Sequence, residues 1–210
     1  MPHFTDLTGL SCVAIGMVAM LMQIPAFSHI PKVRLPFFLG AVFTLSLIPF
    51  GEMPMTSYLR GVTGDLSITT LVLLLSAPTT KALNQLLPRV SIEAPKYRAL
   101  LLVVALTSAA FYPLALGLGM FDPYRIGYGN PFFIIALLMI VLLAWFNKYT
   151  LIVLCIALST LAWSLSWYES DNLWDYLLDP FLATYALFTT ARLLVQSFLN
   201  RNPFPNSKEQ

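Results

Sequence analysis

The sequence predicts an all-α fold of the polytopic membrane kind, a transmembrane helix bundle of about seven spans. Three observations lead there. Of 210 residues, 58% are hydrophobic and only 10% charged, against roughly 25% charged in ordinary soluble domains. The apolar residues gather in blocks that suit a hydrocarbon layer of about 30 Å, which takes around 20 helical residues to cross. The basic residues fall in alternate connecting loops, as the retention of Lys and Arg on the cytoplasmic side requires.

Spans are expected near residues 9–27, 35–50, 56–77, 98–120, 131–147, 150–167 and 176–196. They form one domain over 1–199, followed by a polar tail, 200–210, which holds Pro203 and Pro205 and reads as disordered. No Lys or Arg precedes Lys32, so the first block lacks the basic head of a secretory signal and is expected to be retained. With the N-terminus outside, Lys32, Arg34, Lys81, Arg89, Lys96, Arg98, Lys148, Arg192, Arg201 and Lys208 lie inside, and Arg60 and Arg125 outside. Acidic residues sort the opposite way. Asp6, Glu52, Asp65, Asp122, Glu169, Asp171, Asp175 and Asp179 lie outside, and Glu93 and Glu209 inside. A polar site is therefore expected on the outer face. Short loops and the absence of any Asn-x-Ser/Thr site point to a plasma membrane, specifically a bacterial inner membrane.

The third block is the weakest, because its continuously apolar part, Leu66–Ala77, has 12 residues, a length that also suits a re-entrant segment. Six spans then remain, with the N-terminus inside. Glu52, Arg60 and Asp65 change sides in that arrangement, while Asp122, Arg125 and the Glu169–Asp175 loop stay outside. Trp163, Trp167, Tyr168, Trp174 and Tyr176 bracket the acidic loop, and Trp145 and Tyr149 the turn at the inner side, as expected of an interfacial aromatic belt. Gly40, Ala109, Ala110, Gly117 and Gly119 allow close helix packing. Cys12 and Cys155 lie at different depths in the seven-span arrangement, so no disulfide is expected there.

Carboxylates at the edge of hydrocarbon are costly and usually have a partner or a task. Asp171, Asp175 and Asp179 recur at four-residue intervals, which on a helix stacks them along one face over about 12 Å. That spacing suits a shared divalent cation if neighbouring loops add oxygen ligands. All three are candidate metal ligands, and Asp171 and Asp175 are candidate catalytic carboxylates. Alternatively, Asp179-Pro180 reads as an N-cap followed by the first helical residue, which leaves only Asp171 and Asp175 for other work. Arg60, Arg125, Asp65 and Glu52 are the candidate substrate-binding residues, with the arginine forks suited to phosphate.

Between Glu52 and Thr70, Arg60 and Asp65 stand five residues apart, about 140° around a regular helix, where they do not pair. The preferred reading makes Asp65 the N-cap of a helix starting at Leu66, with Arg60 reaching to headgroup phosphates. The other is a broken helix or re-entrant turn at Gly61 and Gly64 that carries an Arg and an Asp inside protein.

The Asp-x-x-x-Asp-x-x-x-Asp spacing is similar to part of the metal-binding motif of CDP-alcohol phosphatidyltransferases and to the aspartate motifs of membrane prenyltransferases, over nine residues of 210. The remaining elements of both families are absent from the chain, so no activity follows from the resemblance. With two histidines, His3 and His29, and no His-Glu-x-x-His, Gly-x-Ser-x-Gly or phosphate-binding glycine loop, the imidazole-rich and serine-elbow chemistries are excluded. The expected function is an outer-face site for a lipid-linked phosphate substrate with a divalent cation. A noncatalytic anchor or assembly subunit, partnered by another membrane protein, is the alternative, and a small transporter the third. Nothing points to nucleic acid.

Overall fold

The computed structural model describes residues 4–24, 30–31, 33–76 and 94–201. The expectations for His3, His29, Lys32, Lys81, Arg89, Glu93 and the tail beyond Arg201 lie outside them. The described chain is mostly helical, with nine α-helices and no β structure beyond one two-stranded hairpin. In order they are α1 (Phe4–Leu21), α2 (Leu35–Leu47), the hairpin β1–β2 (Pro49–Phe50 and Met53–Pro54), α3 (Met55–Thr63) and α4 (Ile68–Ser76). There follow α5 (Ala94–Ala115), a 3-10 turn (Pro123–Gly127), α6 (Pro131–Phe146), α7 (Thr150–Ser164), α8 (Leu173–Leu177) and α9 (Pro180–Arg201).

Helix starts follow a repeated local device. Asp122-Pro123, Asn130-Pro131 and Asp179-Pro180 each put a short side-chain acceptor before a proline. The acceptor takes up a free backbone amide of the first turn, and proline there lacks only a donor that has no helical partner anyway. Asp122 accepts from Tyr124 N at 2.9 Å, Asn130 from Phe132 N at 2.9 Å, and Asp179 from Leu182 N at 2.8 Å. Helix ends repeat a device too. Gly117, Lys148 and Ser166 take positive φ after α5, α6 and α7, and the next residue's amide reaches back to Pro113, Ala144 and Ala162 respectively. This is the Schellman closure, which satisfies the last carbonyls of a helix.

One helix, Pro95–Ala115, is long and apolar enough to cross a membrane by itself among the described residues, and α3 with α4 would make a second if that bent pair is one span. Seven long spans are therefore not what the helix lengths give. α2, α6 and α7 have 13, 16 and 15 residues, about 20–24 Å at 1.5 Å per residue. The expected last span is also interrupted, because the chain is extended at Leu178 between α8 and α9. The third block breaks as well: α3 and α4 meet at 115°.

The core lies where α4, α5, α7, α8 and α9 converge, around Leu71, Leu101, Val104, Cys155, Tyr176 and Ala186. α5 packs along α9, α6 against α7, and α1 against α2, α3 and α4. Cys12 and Cys155 are both buried free thiols. The bend between α3 and α4 depends on Gly64, at φ 69° and ψ −166°, a conformation open essentially to glycine alone. Gly64→Ala should therefore lower stability by about 1–3 kcal/mol. Gly61→Ala, inside α3 with open space around its Cα, should be neutral or stabilising by up to about 1 kcal/mol. Equilibrium unfolding of the two variants in detergent micelles checks the pair.

Candidate functional site

Four separate segments meet at one end of the bundle: the start of α1, the α3–α4 bend, the 3-10 turn, and the 165–179 stretch. Thr8 and Tyr168 make two of the joins. The Thr8 hydroxyl donates to the Trp167 carbonyl, and the Tyr168 hydroxyl to the Leu66 carbonyl at 2.7 Å. The others run through carboxylates.

Asp179 is 4% exposed and serves two helices. Its Oδ1 caps α9 through Leu182 N, while its Oδ2 accepts from Ser67 N at 3.0 Å and from the Thr70 hydroxyl at the start of α4. Ser67 is the side chain that caps α4, accepting from Thr70 N at 3.1 Å. Burying a carboxylate costs several kcal/mol unless donors replace its water, and here three do.

Arg60 gathers the acids on the other side of the bend. Because α3 ends at Gly64, Asp65 folds back onto Arg60 and accepts from Nε at 2.6 Å and Nη2 at 3.0 Å. A helix that stops between two residues can pair them where a continuous one cannot. Nη1 donates to Asp6 at 3.1 Å, and Glu169 lies 3.6 Å from Nη2. Gly9 of α1 makes room for this, since a Cβ there would stand 2.7 Å from Asp65 Oδ1 and 2.9 Å from Arg60 Cζ. The preferred sequence reading is corrected on both counts. Asp65 does not cap α4, and the Arg60 fork is taken up by carboxylates instead of being left open for phosphate.

Tyr124 ties the third group together. Its amide donates to Asp122 and its hydroxyl to Asp175 Oδ2 at 2.9 Å, the same oxygen that accepts from the Ser170 hydroxyl. Asp175 Oδ1 has no hydrogen bond among the described residues. Burial, and then the bond to Asp175, raises the Tyr124 pKa above the ordinary tyrosine range, so this hydroxyl stays a donor at neutral pH. Fully buried Asn172 caps α8 by accepting from Trp174 N at 2.9 Å and donates to the Tyr124 carbonyl at 2.9 Å. Gly127 allows that contact, because a Cβ there would sit 1.8 Å from Asn172 Oδ1. Trp174 donates to the Pro123 carbonyl at 2.9 Å and lies between Phe111 and Phe133, with ring centroids 4.4 and 4.7 Å away.

These groups enclose a cleft of about 470 Å³. Asp65, Asp122, Asp175 and Asp179 line it together with Phe111, Tyr112, Tyr124 and Trp174, and among the described residues no Lys, Arg or His does. Of the expected site residues, the cleft thus unites Asp65, Asp175 and Asp179. Asp171 is exposed outside it, its carbonyl holding Trp163 Nε1 at 2.8 Å. Glu52 is exposed in the hairpin turn, and Arg125 is exposed with no ion pair among the described residues. The stripe does not share a helix face: Asp171 precedes α8, Asp175 lies within it and Asp179 follows its end. No group of three or more His, Cys, Asp or Glu side chains is placed to hold a metal ion among the described residues.

Sequence reasoning missed Asp122 as a lining residue, Tyr124, Ser170, Ser67 and Thr70 altogether, and Asp6 and Glu169 as partners of Arg60. Only Asp122 carried a signal, its place before Pro123. Comparison with known proteins adds no kinship: no family model, curated protein or solved structure matches the chain.

The shared cap is the part most sensitive to substitution. Asp179→Asn turns an amide donor toward Ser67 N or gives up the cap of α9, and should cost about 2–3 kcal/mol. Thr70→Val removes one donor and should cost about 1 kcal/mol. Unfolding free energies in detergent would show the order, and equal losses would mean that the carboxylate charge contributes nothing.

Proposed function

We propose that the chain is a multi-pass membrane protein of seven crossings, with its N-terminus on the outer side, whose outer face carries a binding cleft for an organic cation. The membrane reading is supported by the surface. Nine of the sixteen residues of α6 are large hydrophobics left exposed, among them Phe132, Leu143 and Phe146, and Phe188 and Phe198 of α9 are exposed likewise. Soluble monomers rarely leave so many large apolar side chains of one helix in water. Short crossings such as α2 and α7 are accommodated by local thinning of the bilayer and by interfacial side chains. Seven crossings are favoured over six by Arg60, which meets both Asp6 and Glu169, whereas six would put those residues on opposite sides. A bacterial inner membrane remains the compartment of choice on the grounds of loop length.

The lining of the cleft carries the ligand assignment: four carboxylates, of which only Asp65 is paired with an arginine, and no basic side chain among the described residues. Such a cavity repels phosphate. The phosphate half of the expected lipid-linked substrate is therefore set aside, and the cationic half is kept. An ammonium group suits it better than a metal, since aromatic faces hold an alkylated cation as carboxylates do and no metal-like group of acids is present among the described residues. Asp175 is the contact residue, with Oδ1 unused while Tyr124 and Ser170 fix Oδ2, and Asp122, whose Oδ2 is also unbonded among the described residues, is a second carboxylate open to the cation. Asp65 and Asp179 act at longer range, their oxygens already bonded within the protein.

Titration of the purified protein with tetramethylammonium tests this. Asp175→Asn should weaken binding at least tenfold, about 1.4 kcal/mol, with Arg125→Ala unchanged; equal affinity in wild type and Asp175→Asn would remove the cleft as the site. For the topology, a membrane-impermeant maleimide should reach Glu52→Cys and Asp171→Cys from the same side. Labelling from opposite sides would restore six crossings.

A further inference from the structure

We propose that the cleft is filled from the bilayer and not from water, so that its ligand is a membrane amphiphile with a cationic headgroup; this rests on the cleft reading above and names the ligand's class. The argument lies in the two lips of the cleft. Thr63 and Gly64, at the end of α3, line one side, and Ala115 and Leu116, at the end of α5, another.

An amphipathic helix of a water-soluble protein buries its apolar face and shows its polar one. α3 does the reverse. Met55, Tyr58 and Val62 fall at i, i+3 and i+7, on one face, and are 55%, 55% and 83% exposed. Thr56 and Arg60 lie across the helix, the first fully buried and the second held by Asp6 and Asp65. The hairpin before α3 adds Phe50, 91% exposed. α2 packs on α3 and adds exposed Leu45, with Ile48 exposed just after its end.

The second lip has the same character. After the closure at Gly117 the chain runs through Leu118, Met120 and Phe121, all exposed and with no charged residue from Leu116 to Phe121. A cleft with an acidic floor and two apolar lips is complementary to a molecule with a cationic head and a hydrocarbon tail. In the outer leaflet, α3 and the 116–121 loop would sit among acyl chains near the headgroups, as interfacial helices do. The head would meet Asp175 and the aromatic rings, and the tail would leave between Val62 and Leu116.

Nitroxides at Val62→Cys and Met120→Cys in bilayer nanodiscs test the lips, with Leu138→Cys on α6 as the lipid reference and Asp171→Cys as the aqueous one. Cys12 and Cys155 are buried, and unsubstituted protein gives the labelling blank. Both lip positions should collide with oxygen more than with a water-soluble nickel chelate. Chelate access equal to that at Asp171 overturns the inference, and if Leu138 is also aqueous, the membrane reading fails with it. For the ligand, nanodiscs of phosphatidylglycerol doped with a diacyl trimethylammonium lipid are ejected into a mass spectrometer. Retention of that lipid should fall at least fivefold in Asp175→Asn. Equal retention in both proteins overturns the proposal. So does binding of tetramethylammonium without the lipid, which leaves the cation cleft standing but filled from water.

Discussion

One carboxylate sets the frame for the whole acidic end. Asp179 accepts hydrogen bonds at the first turns of both α9 and α4, across 112 residues of chain. Two helix N-termini carry the positive ends of two backbone dipoles, and a buried negative charge between them answers both. The helices therefore start from a common point, and the cleft lies beside it, walled by Asp179 and Pro180, the α3–α4 bend, the end of α5, the 3-10 turn and α8. Because both oxygens of Asp179 are engaged, the charge shapes the field in the cleft without itself being open to a ligand.

The other acids divide in the same way. Asp65 is neutralised by Arg60, Asp122 holds the 3-10 turn through Oδ1 alone, and Asp175 keeps Oδ1 unbonded among the described residues. What looks in the sequence like a stripe of three equivalent carboxylates is one scaffold residue, one candidate contact residue and one exposed residue outside the cleft. Their likeness in spacing hides a difference in surroundings, and the surroundings decide the chemistry.

The helical character and the positions of most helices could be read from the chain, because apolar blocks and the Asp-Pro and Asn-Pro starts are local signals. Asp179 as a cap of α9 was readable for that reason. Its second role was not, since Ser67 and Thr70 are distant in sequence and unremarkable in type. Two of the three helix closures use Lys148 and Ser166 where glycine is the usual sign, so the ends of α6 and α7 were legible only from where the apolar blocks stop, and the closure itself was not. The break after α8 misled more seriously: proline disfavours helix at the residue before it, and here the extended conformation reaches back to Leu178, which turns Asp179 out of register with Asp175. For Arg60 and Asp65 the sequence left two readings, and the less favoured one, a break at the glycines, is the one whose geometry is found: Gly64 ends α3 between them and they pair across the bend.

Gly9 gives the Arg60 cluster a further property. With no side chain on α1 at that point, the guanidinium and its carboxylate lie against bare backbone, and the Arg60 side chain is only 17% exposed. Mobile ions weaken charge pairs chiefly by surrounding them, and here one flank is closed. Added salt should therefore loosen the arm to Glu169, 62% exposed, before the arm to Asp6, and the Arg60–Asp65 pair at the bend last.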